Sequence, residues 1–309
     1  MTDIAIVSLE QPLETIADEL GRSFAEFGFA VIRDHGIPQD LIDRAEQKSK
    51  EFFALPEDVK RGYQLPGGGG ARGYTPFGTE KAKDAEVQDL KEFWHVGRSL
   101  PEGHALAEFM APNIWPSEID GFKETFGELY SAFEKAGGRL LEAIALHLGL
   151  DQKYFDPTVE DGNSVMRLLH YPPLGEEAPE GAIRAAAHGD INTITLLLGA
   201  EEAGLELLTK QGEWKAVDTP DGALVINVGD MLDRLTNSKL RSTTHRVVNP
   251  RGEAAKRSRF SMPFFLHFRP DYEIRTLESC IEPGKESEAP EPISSHEFLQ
   301  QRLREINLA

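Results

Sequence analysis

Cysteine is almost missing from this sequence, since Cys280 is the only one among 309 residues. A lone cysteine excludes an intramolecular disulfide and any metal site built from several cysteines. Basic residues are also few: 33 Lys and Arg stand against 52 Asp and Glu, and the formal net charge is -19. A surface this negative repels phosphate backbones, so we do not expect nucleic acid as a partner.

Long apolar runs are missing as well. No run approaches the ~18–20 residues that a membrane-spanning helix needs. The first residues, MTDIAIVSLEQP, include acidic side chains and no apolar stretch typical of a signal peptide. We therefore expect no membrane association and a cytoplasmic location. With 40% hydrophobic residues, the chain is otherwise typical of a globular protein that buries a sizeable core.

Helical periodicity dominates the first half of the chain. Apolar residues recur at helical spacing in 13–27 and 38–54, with a short strand predicted between them at 28–34. The longest helix is expected within 116–149, because a proline precedes it and a glycine follows it. This half therefore predicts helices that pack beside the rest of the fold.

A glycine-rich segment, 64–98, interrupts these helices. It contains four consecutive glycines at 67–70, but no Gly-Lys-Ser/Thr follows them, so the segment does not support a phosphate-binding loop. We predict a loop, with 64–83 forming a mobile cover over an active site.

From about residue 164 the pattern changes to short β-rich runs separated by turn residues. The runs are SVMRLLHY, TITLLLG, LELLT, WKAV, ALVINV, STTHRVVN and RFSMPFFLHF. They predict a mainly β fold with a jelly-roll core, a double-stranded β-helix, flanked by helices from the N-terminal half. The chain then divides into an N-terminal region (1–115), a long helix supporting the sheet (116–160), the jelly-roll core (161–275) and a tail with a short helix (276–309).

The segment AAAHGDINTITLLLG, 185–199, carries two groups that bind metals, His188 and Asp190, just before an apolar run. Alternate residues of a strand face the same side, so both side chains would point to one place. A histidine two residues from an acid also arises by chance about once or twice in such a chain. A later predicted strand adds His245. If these strands are neighbours in a jelly roll, two histidines and one carboxylate meet on one face of a metal, as in non-haem Fe(II) oxygenases.

A candidate carboxylate receptor follows His245. Arg259 and Ser261 lie two apart on a predicted strand, and Tyr171 ends another. An arginine facing the interior of a jelly roll is costly unless an anion meets it, and its fork fits a carboxylate. The alternatives are a surface arginine and a tyrosine at the rim. Of the other histidines, His170 and His267 also lie near the predicted site in the sequence, without a carboxylate at ligand spacing.

Together these residues resemble the Fe(II)/2-oxoglutarate-dependent dioxygenases, and more closely the subgroup named for isopenicillin N synthase. In the first half, EFGFAVIRDHGIP, FFALPEDVKRG, RGYTPFGTE and DLKEFWHVGR resemble further segments of that subgroup. The similarity spans roughly residues 5–270. Where plant members have Asn-Tyr-Tyr-Pro, this chain has Leu169-His170-Tyr171-Pro172, so only the tyrosine before proline is shared.

The resemblance implies that Fe(II) is bound by His188, Asp190 and His245. It also implies that 2-oxoglutarate chelates the iron, while Arg259, Ser261 and Tyr171 bind its far carboxylate. Such an enzyme oxidises a small molecule with O2, and it releases succinate and CO2. In this reading the cofactor and co-substrate perform the chemistry, and the protein orients the reactants and excludes water.

The substrate is not named by the sequence. Phe93, Trp94, His95 and Phe265 are the candidates for the lining of its pocket, and the alternative is that these residues belong to the core. Three other activities stay open. They are an oxidase like isopenicillin N synthase, in which the same Arg-x-Ser pair grips the substrate, an ethylene-forming enzyme, and a jelly roll that binds a metal without catalysis.

Overall fold

The computed structural model describes residues 3–65, 71–79, 88–173, 183–198, 204–250, 252–281, 283–284 and 290–305. The described helices are Leu13–Phe27 (α1), Gln39–Phe53 (α2), Glu57–Arg61 (α3), Phe122–His147 (α4), Asp156–Val159 (α5), Asp230–Leu235 (α6) and Ser295–Glu305 (α7). The first four strands are Ile6–Ser8 (β1), Phe29–Arg33 (β2), Gly73–Thr75 (β3) and Glu92–Gly97 (β4). The other strands are Val165–Tyr171 (β5), Ala185–His188 (β6), Ile194–Leu198 (β7), Leu205–Leu208 (β8), Trp214–Ala216 (β9), Leu224–Val228 (β10), His245–Val247 (β11), Arg259–Leu266 (β12), Glu273–Ile274 (β13) and Ile293–Ser294 (β14).

Two sheets form the core of the fold. The large sheet has eight strands in the order β1-β2-β10-β7-β12-β5-β4-β3, and the small sheet has four in the order β6-β11-β8-β9. Their facing sides share a buried cluster in which Phe29 and Val225 of the large sheet pack with Leu207 of the small sheet. The mainly β fold with flanking helices is therefore confirmed.

Alternation along each strand separates two environments. On β12, Phe264 and Leu266 belong to the main hydrophobic core together with the helices. The alternate residues Arg259, Ser261 and Phe265 point to the other side, towards the small sheet. One face of the large sheet is thus covered by α1, α2 and α4, while the opposite face lines the space between the sheets.

The long helix α4 lies directly on the large sheet. A Cβ built on Gly137 would fall 2.4 Å from Cδ1 of Leu266 on β12, so a side chain at position 137 would have to displace the leucine. The helix lies inside the predicted segment 116–160, but it begins at Phe122 because Gly121 before it adopts a left-handed conformation with φ 71°.

The prediction of a single loop over residues 64–98 is wrong. It contains β3 and β4, and β4 pairs with β5 over six residues from Glu92 to Gly97. The strand pattern was missed because every residue of β4 is buried, which removes the polar alternation. Residues 66–70 and 80–83 of the predicted cover lie outside the described residues, as do residues 84–87.

Strands from the first 115 residues join the same large sheet as strands from 161–275. The four predicted regions therefore share one core, and their boundaries stay a prediction. Within the described ranges, no helix is both long enough and apolar enough to cross a membrane.

Candidate active site

Two histidines lie opposite each other on paired strands of the small sheet. β6 and β11 run antiparallel, and His188 at the end of β6 is the register partner of His245 at the start of β11. Their ring centroids are 4.4 Å apart. The expectation that these two strands are neighbours is confirmed.

Asp190 reaches the histidines from the segment that crosses to the large sheet. Its Oδ1 lies 3.9 Å from Nε2 of His188 and 3.8 Å from Nε2 of His245. The prediction that Asp190 shares a strand with His188 is wrong, because β6 ends at His188. The carboxylate lies next to the histidines because the chain crosses to the large sheet at this point and because hydrogen bonds hold the side chain of Asp190 in place.

Backbone carbonyls fix which nitrogen of each histidine is available. Nδ1 of His188 lies 2.7 Å from the carbonyl oxygen of Ala186, and Nδ1 of His245 lies 3.1 Å from that of Thr243. A carbonyl oxygen only accepts, so each Nδ1 carries the hydrogen and each Nε2 presents its lone pair. Burial, aided by the neighbouring His245, lowers the pKa of His188 to about 4, so this ring is neutral as a metal ligand requires.

Asp190 is oriented in the same way. Its Oδ2 accepts hydrogen bonds from Oγ1 of Thr195 (2.6 Å) and Nδ2 of Asn227 (2.7 Å), which leaves Oδ1 to face the histidines. Burial acts to raise the pKa of this carboxyl, but the two histidines and the two hydrogen bonds outweigh it and the pKa is lowered. The carboxylate is therefore ionised at neutral pH.

A buried ion pair supports the strand that carries His188. Nζ of Lys91 lies 2.8 Å from Oδ2 of Asp89, and Oδ1 of Asp89 accepts a hydrogen bond from the backbone N–H of Ala186. β6 is an edge strand of the small sheet, so this bond stabilises it from its open side. Both residues lie in the segment DLKEFWHVGR, but the sequence alone indicates no role for them.

The hydrogen bond from Thr195 to Asp190 leads to a first prediction. Thr195→Val removes one of the two donors that orient the carboxylate, and we expect the affinity for Fe(II) to fall roughly 10- to 100-fold. Thr158→Val is the matched control, because Thr158 is also buried and donates one hydrogen bond, to the carbonyl oxygen of Phe155. Metal titration of both variants checks this. Equal affinities in Thr195→Val and wild type would show that Asp190 needs no such support.

A second cluster surrounds Tyr171. Arg259 is the register partner of Tyr171, and its guanidinium carbon lies 5.0 Å from the centre of the phenol ring. Nη1 of Arg259 lies 3.4 Å from Oγ of Ser261, and all three residues are buried. Arg184, which the sequence analysis missed, is fully buried with its guanidinium carbon 5.8 Å from the same ring. Two buried positive charges beside one phenol favour an anionic ligand.

The departure at Leu169-His170 has a structural reason. Leu169 faces the same side as Tyr171 and packs with it and Phe93. His170 points to the helix side, where Nδ1 lies 2.6 Å from Oε1 of Glu92 and Nε2 lies 3.0 Å from Oγ of Ser258. His170 is therefore part of a structural network and does not contact the metal cluster.

A third cluster joins three strands of the large sheet. The guanidinium carbon of Arg167 on β5 lies 4.1 Å from the ring centre of Phe93 and 5.5 Å from that of Phe265. Nε of Arg167 donates to Nε2 of His95 at 2.6 Å. Phe265 is the register partner of Thr195, which holds the carboxylate of the metal cluster. This aromatic and cationic surface therefore adjoins the metal cluster.

Trp94 does not belong to that surface, and its predicted place in the pocket is corrected. It is fully buried in the main core, 4.8 Å from Phe52 and 5.6 Å from Phe122 between ring centres. Neighbouring residues of a strand point to opposite faces, so Phe93 and His95 cannot share a face with the residue between them.

Comparison with known families agrees with this geometry. Residues 3–118 match the family model described as the N-terminal region of the non-haem dioxygenase in morphine synthesis, and residues 162–268 match that of the 2OG-Fe(II) oxygenase superfamily. The 2-oxoglutarate-Fe(II) type oxidoreductase hxnY of Emericella nidulans is 33% identical, over 88% of this chain and 79% of that protein. The proline hydroxylase buaE of Petromyces alliaceus is also 33% identical, over 94% and 93%.

Solved structures give the same result. A protein of Caulobacter crescentus described as a member of the 2OG-Fe(II) oxygenase family is 53% identical, with a TM-score of 0.91 over 99% of this chain and 100% of that chain. A full-length protein of Neurospora crassa, crystallised in complex with alpha-KG and thymine, is 29% identical, with a TM-score of 0.85 over 97% and 96%. With a jelly-roll core, a His-Asp-His cluster and relatives over nearly its whole length, the chain belongs to the 2OG-Fe(II) oxygenase superfamily.

Proposed function

We propose that this chain is an Fe(II)- and 2-oxoglutarate-dependent oxygenase whose iron is bound by His188, Asp190 and His245. The donor set fits Fe(II), since two imidazole nitrogens and one carboxylate oxygen lie within 4.8 Å of one another. Each donor is already aimed, because the other polar atom of each side chain is engaged elsewhere. Bound Fe(II) with 2-oxoglutarate supplies the activation of O2, and the co-substrate leaves as succinate and CO2.

Arg259, with Ser261 and Tyr171, binds the far carboxylate of 2-oxoglutarate. The support is the buried Arg259–Ser261 pair over the phenol ring, with Arg184 adding a second positive charge. The guanidinium fork fits a carboxylate, and burial strengthens the attraction by excluding water. These residues thereby orient the co-substrate so that its other end reaches the metal cluster.

The substrate is a small planar polar molecule, which the enzyme hydroxylates or otherwise oxidises. The observation that carries this proposal is the position of Arg167 between Phe93 and Phe265, beside the metal cluster. Aromatic rings and a guanidinium plane stack on flat ligands, and His95 adds a hydrogen-bonding group. The thymine complex of the Neurospora crassa protein is consistent with a ligand of this shape.

A screen of succinate release with planar heterocycles tests the proposal. At least one compound should stimulate succinate formation in step with its own oxidation. If no planar compound does so while aliphatic compounds do, the substrate class is wrong. A protein that forms no succinate with any compound contradicts the proposed activity itself.

Once a substrate is found, Phe265→Ala should raise its KM by about fivefold or more, because loss of one stacking surface costs ~1 kcal/mol or more. Phe260→Ala is the matched control, since Phe260 lies on the same strand but stacks on His170 at the helix side. Steady-state kinetics of both variants decide this. A KM in Phe265→Ala as low as in Phe260→Ala would remove Phe265 from the pocket.

Three expectations from the sequence stay predictions. They are membership of the subgroup named for isopenicillin N synthase, the cytoplasmic location, and the division of the chain at residues 115, 160 and 275.

A further inference from the structure

Arg72 is a buried cation for which the proposed iron and co-substrate sites give no explanation. Its side chain is 3% exposed, and it lies just before β3. Nη1 donates to the carbonyl oxygen of Ala71 at 2.7 Å, whereas Nε and Nη2 have no hydrogen-bond partner in the described part of the chain. Buried donors without partners are rare in native proteins, because each forfeits its bonds to water. Two unpartnered N–H groups on one buried guanidinium therefore indicate that a ligand binds there.

The guanidinium of Arg72 lies on the pocket side of the large sheet. A Cβ built on Gly97 would fall 1.9 Å from its Cζ, so Arg72 fills the space that a side chain at position 97 would take. Gly97 shares its face of β4 with Phe93 and His95. Arg72 thus extends the surface formed by these residues, and glycine at 97 makes room for it.

His267 is a buried histidine that directly follows β12. Burial lowers the pKa of His267 to about 4. The hydrogen bond to Phe265 and the charge of Asp190 act to raise this pKa, whereas the charge of Arg72 acts to lower it. The ring is held beside β12, because its Nδ1 lies 3.0 Å from the carbonyl oxygen of Phe265.

Among the residues that the structure describes, no carboxylate pairs with Arg72. Apart from burial, the group that shifts its pKa is the phenol of Tyr130, whose own pKa burial raises far above neutrality. Tyr130 is therefore uncharged, and its hydroxyl donates to the carbonyl oxygen of Ser164. A guanidinium stays protonated at neutral pH, so a positive charge remains at this end of the pocket.

We propose that Arg72 is a substrate-binding residue and that the substrate carries a carboxylate, which Nε and Nη2 bind side by side. These two N–H groups lie on one edge of the guanidinium, and that edge matches the two oxygens of a carboxylate. This inference rests on the proposed function and narrows its substrate to planar ring carboxylates. The carboxylate binds Arg72, the ring lies against Phe93 and Phe265, and the C–H to be oxidised faces the metal cluster.

The test measures binding without turnover. Protein loaded with Fe(II) and saturating 2-oxoglutarate under anaerobic conditions is titrated with matched pairs, namely benzoate and benzamide, nicotinate and nicotinamide, and uracil-5-carboxylate and uracil. Saturating 2-oxoglutarate keeps the Arg259 site filled, so the probes report on the pocket. In at least one pair the carboxylate should bind roughly 10- to 100-fold more tightly, the range expected of charge-assisted hydrogen bonds.

Two variants assign that preference to Arg72. Arg72→Met keeps the buried stem without the charge, and Gly97→Ala displaces the guanidinium without removing it. Both should reduce the preference to within about threefold, while Arg22→Met on the exposed face of α1 should retain it. Arg72→Met should unfold at a temperature equal to or above that of wild type, because an unpartnered charge is removed.

The outcomes separate the two proposals. Failure of wild type to bind 2-oxoglutarate contradicts the proposed function. Normal 2-oxoglutarate binding with no carboxylate preference, or a preference that survives in Arg72→Met or Gly97→Ala, overturns the role of Arg72 alone. A clear loss of stability in Arg72→Met without a carboxylate preference in wild type would assign Arg72 to the framework instead.

Discussion

Replacing any one of His188, Asp190 or His245 by alanine is expected to abolish turnover. Loss of a residue that only orients a ligand typically costs 10–100-fold, so loss of a ligand should cost more than ~100-fold in activity and in affinity for Fe(II). Wild type should bind one Fe(II) per chain, and each variant should bind far less at equal concentration. Metal analysis after gel filtration and succinate release measure both effects.

His104→Ala is the matched control for this series. His104 lies outside the cluster, with Nε2 3.3 Å from Oδ2 of Asp161, and it is not fully buried. It should retain the iron content and activity of wild type. Activity near wild type in any one of the three triad variants would contradict the assignment of that ligand.

Arg259→Ala is expected to weaken the binding of 2-oxoglutarate by roughly a hundredfold to a few thousandfold. The variant leaves a desolvated carboxylate without its cation, and breaking such a pair costs about 3–5 kcal/mol. Arg259→Lys should lose less, because the charge remains while the fork is lost. Iron content should stay near that of wild type in both variants, since Arg259 is not a ligand.

Anaerobic titration of the Fe(II) protein with 2-oxoglutarate measures this effect. Arg269→Ala serves as the control, because Arg269 pairs with Asp271 near the surface, away from the Tyr171 cluster. An unchanged dissociation constant in Arg259→Ala would favour the alternative reading, in which Arg259 grips the substrate as in an oxidase like isopenicillin N synthase.

Residue patterns within single strands were sufficient to predict much of the fold. β5, β7, β10 and β12 were found because runs of apolar residues end in clear turn residues, and the helices α1 and α2 because their apolar stripes repeat every three to four positions. β4 was missed because all of its residues are buried, including Glu92 and the preceding Lys91, so the polar alternation of a half-exposed strand is absent. Both are buried through partners that the local pattern does not reveal, Glu92 through Lys60 and His170.

The metal cluster was predictable because its residue types are rare in combination, although the reason given for Asp190 was wrong. Asp190 lies close to the two histidines because the chain crosses between the sheets there and because Asn227, on another strand, donates a hydrogen bond to its carboxylate. Trp94 was assigned to the wrong face because β4 is buried on both sides, so its sequence does not show which residues face the pocket.

The buried arginines mark the limit of sequence reasoning. Arg72, Arg167 and Arg184 have no local pattern that separates them from surface arginines. Their burial is created by contacts between distant segments, such as Arg72 against Gly97 and Arg167 against Phe265. The signal that finds them is a charged side chain inside the space between the sheets, which only the folded chain reveals.

The most direct test of the account is a crystal structure of the protein with Mn(II) and 2-oxoglutarate, in which manganese replaces iron to prevent turnover. We predict one metal ion bound by Nε2 of His188, Nε2 of His245 and Oδ1 of Asp190, with the far carboxylate of 2-oxoglutarate on Arg259 and Ser261. A metal ion bound elsewhere, or a far carboxylate seated on Arg72 or Arg167 instead, would contradict it.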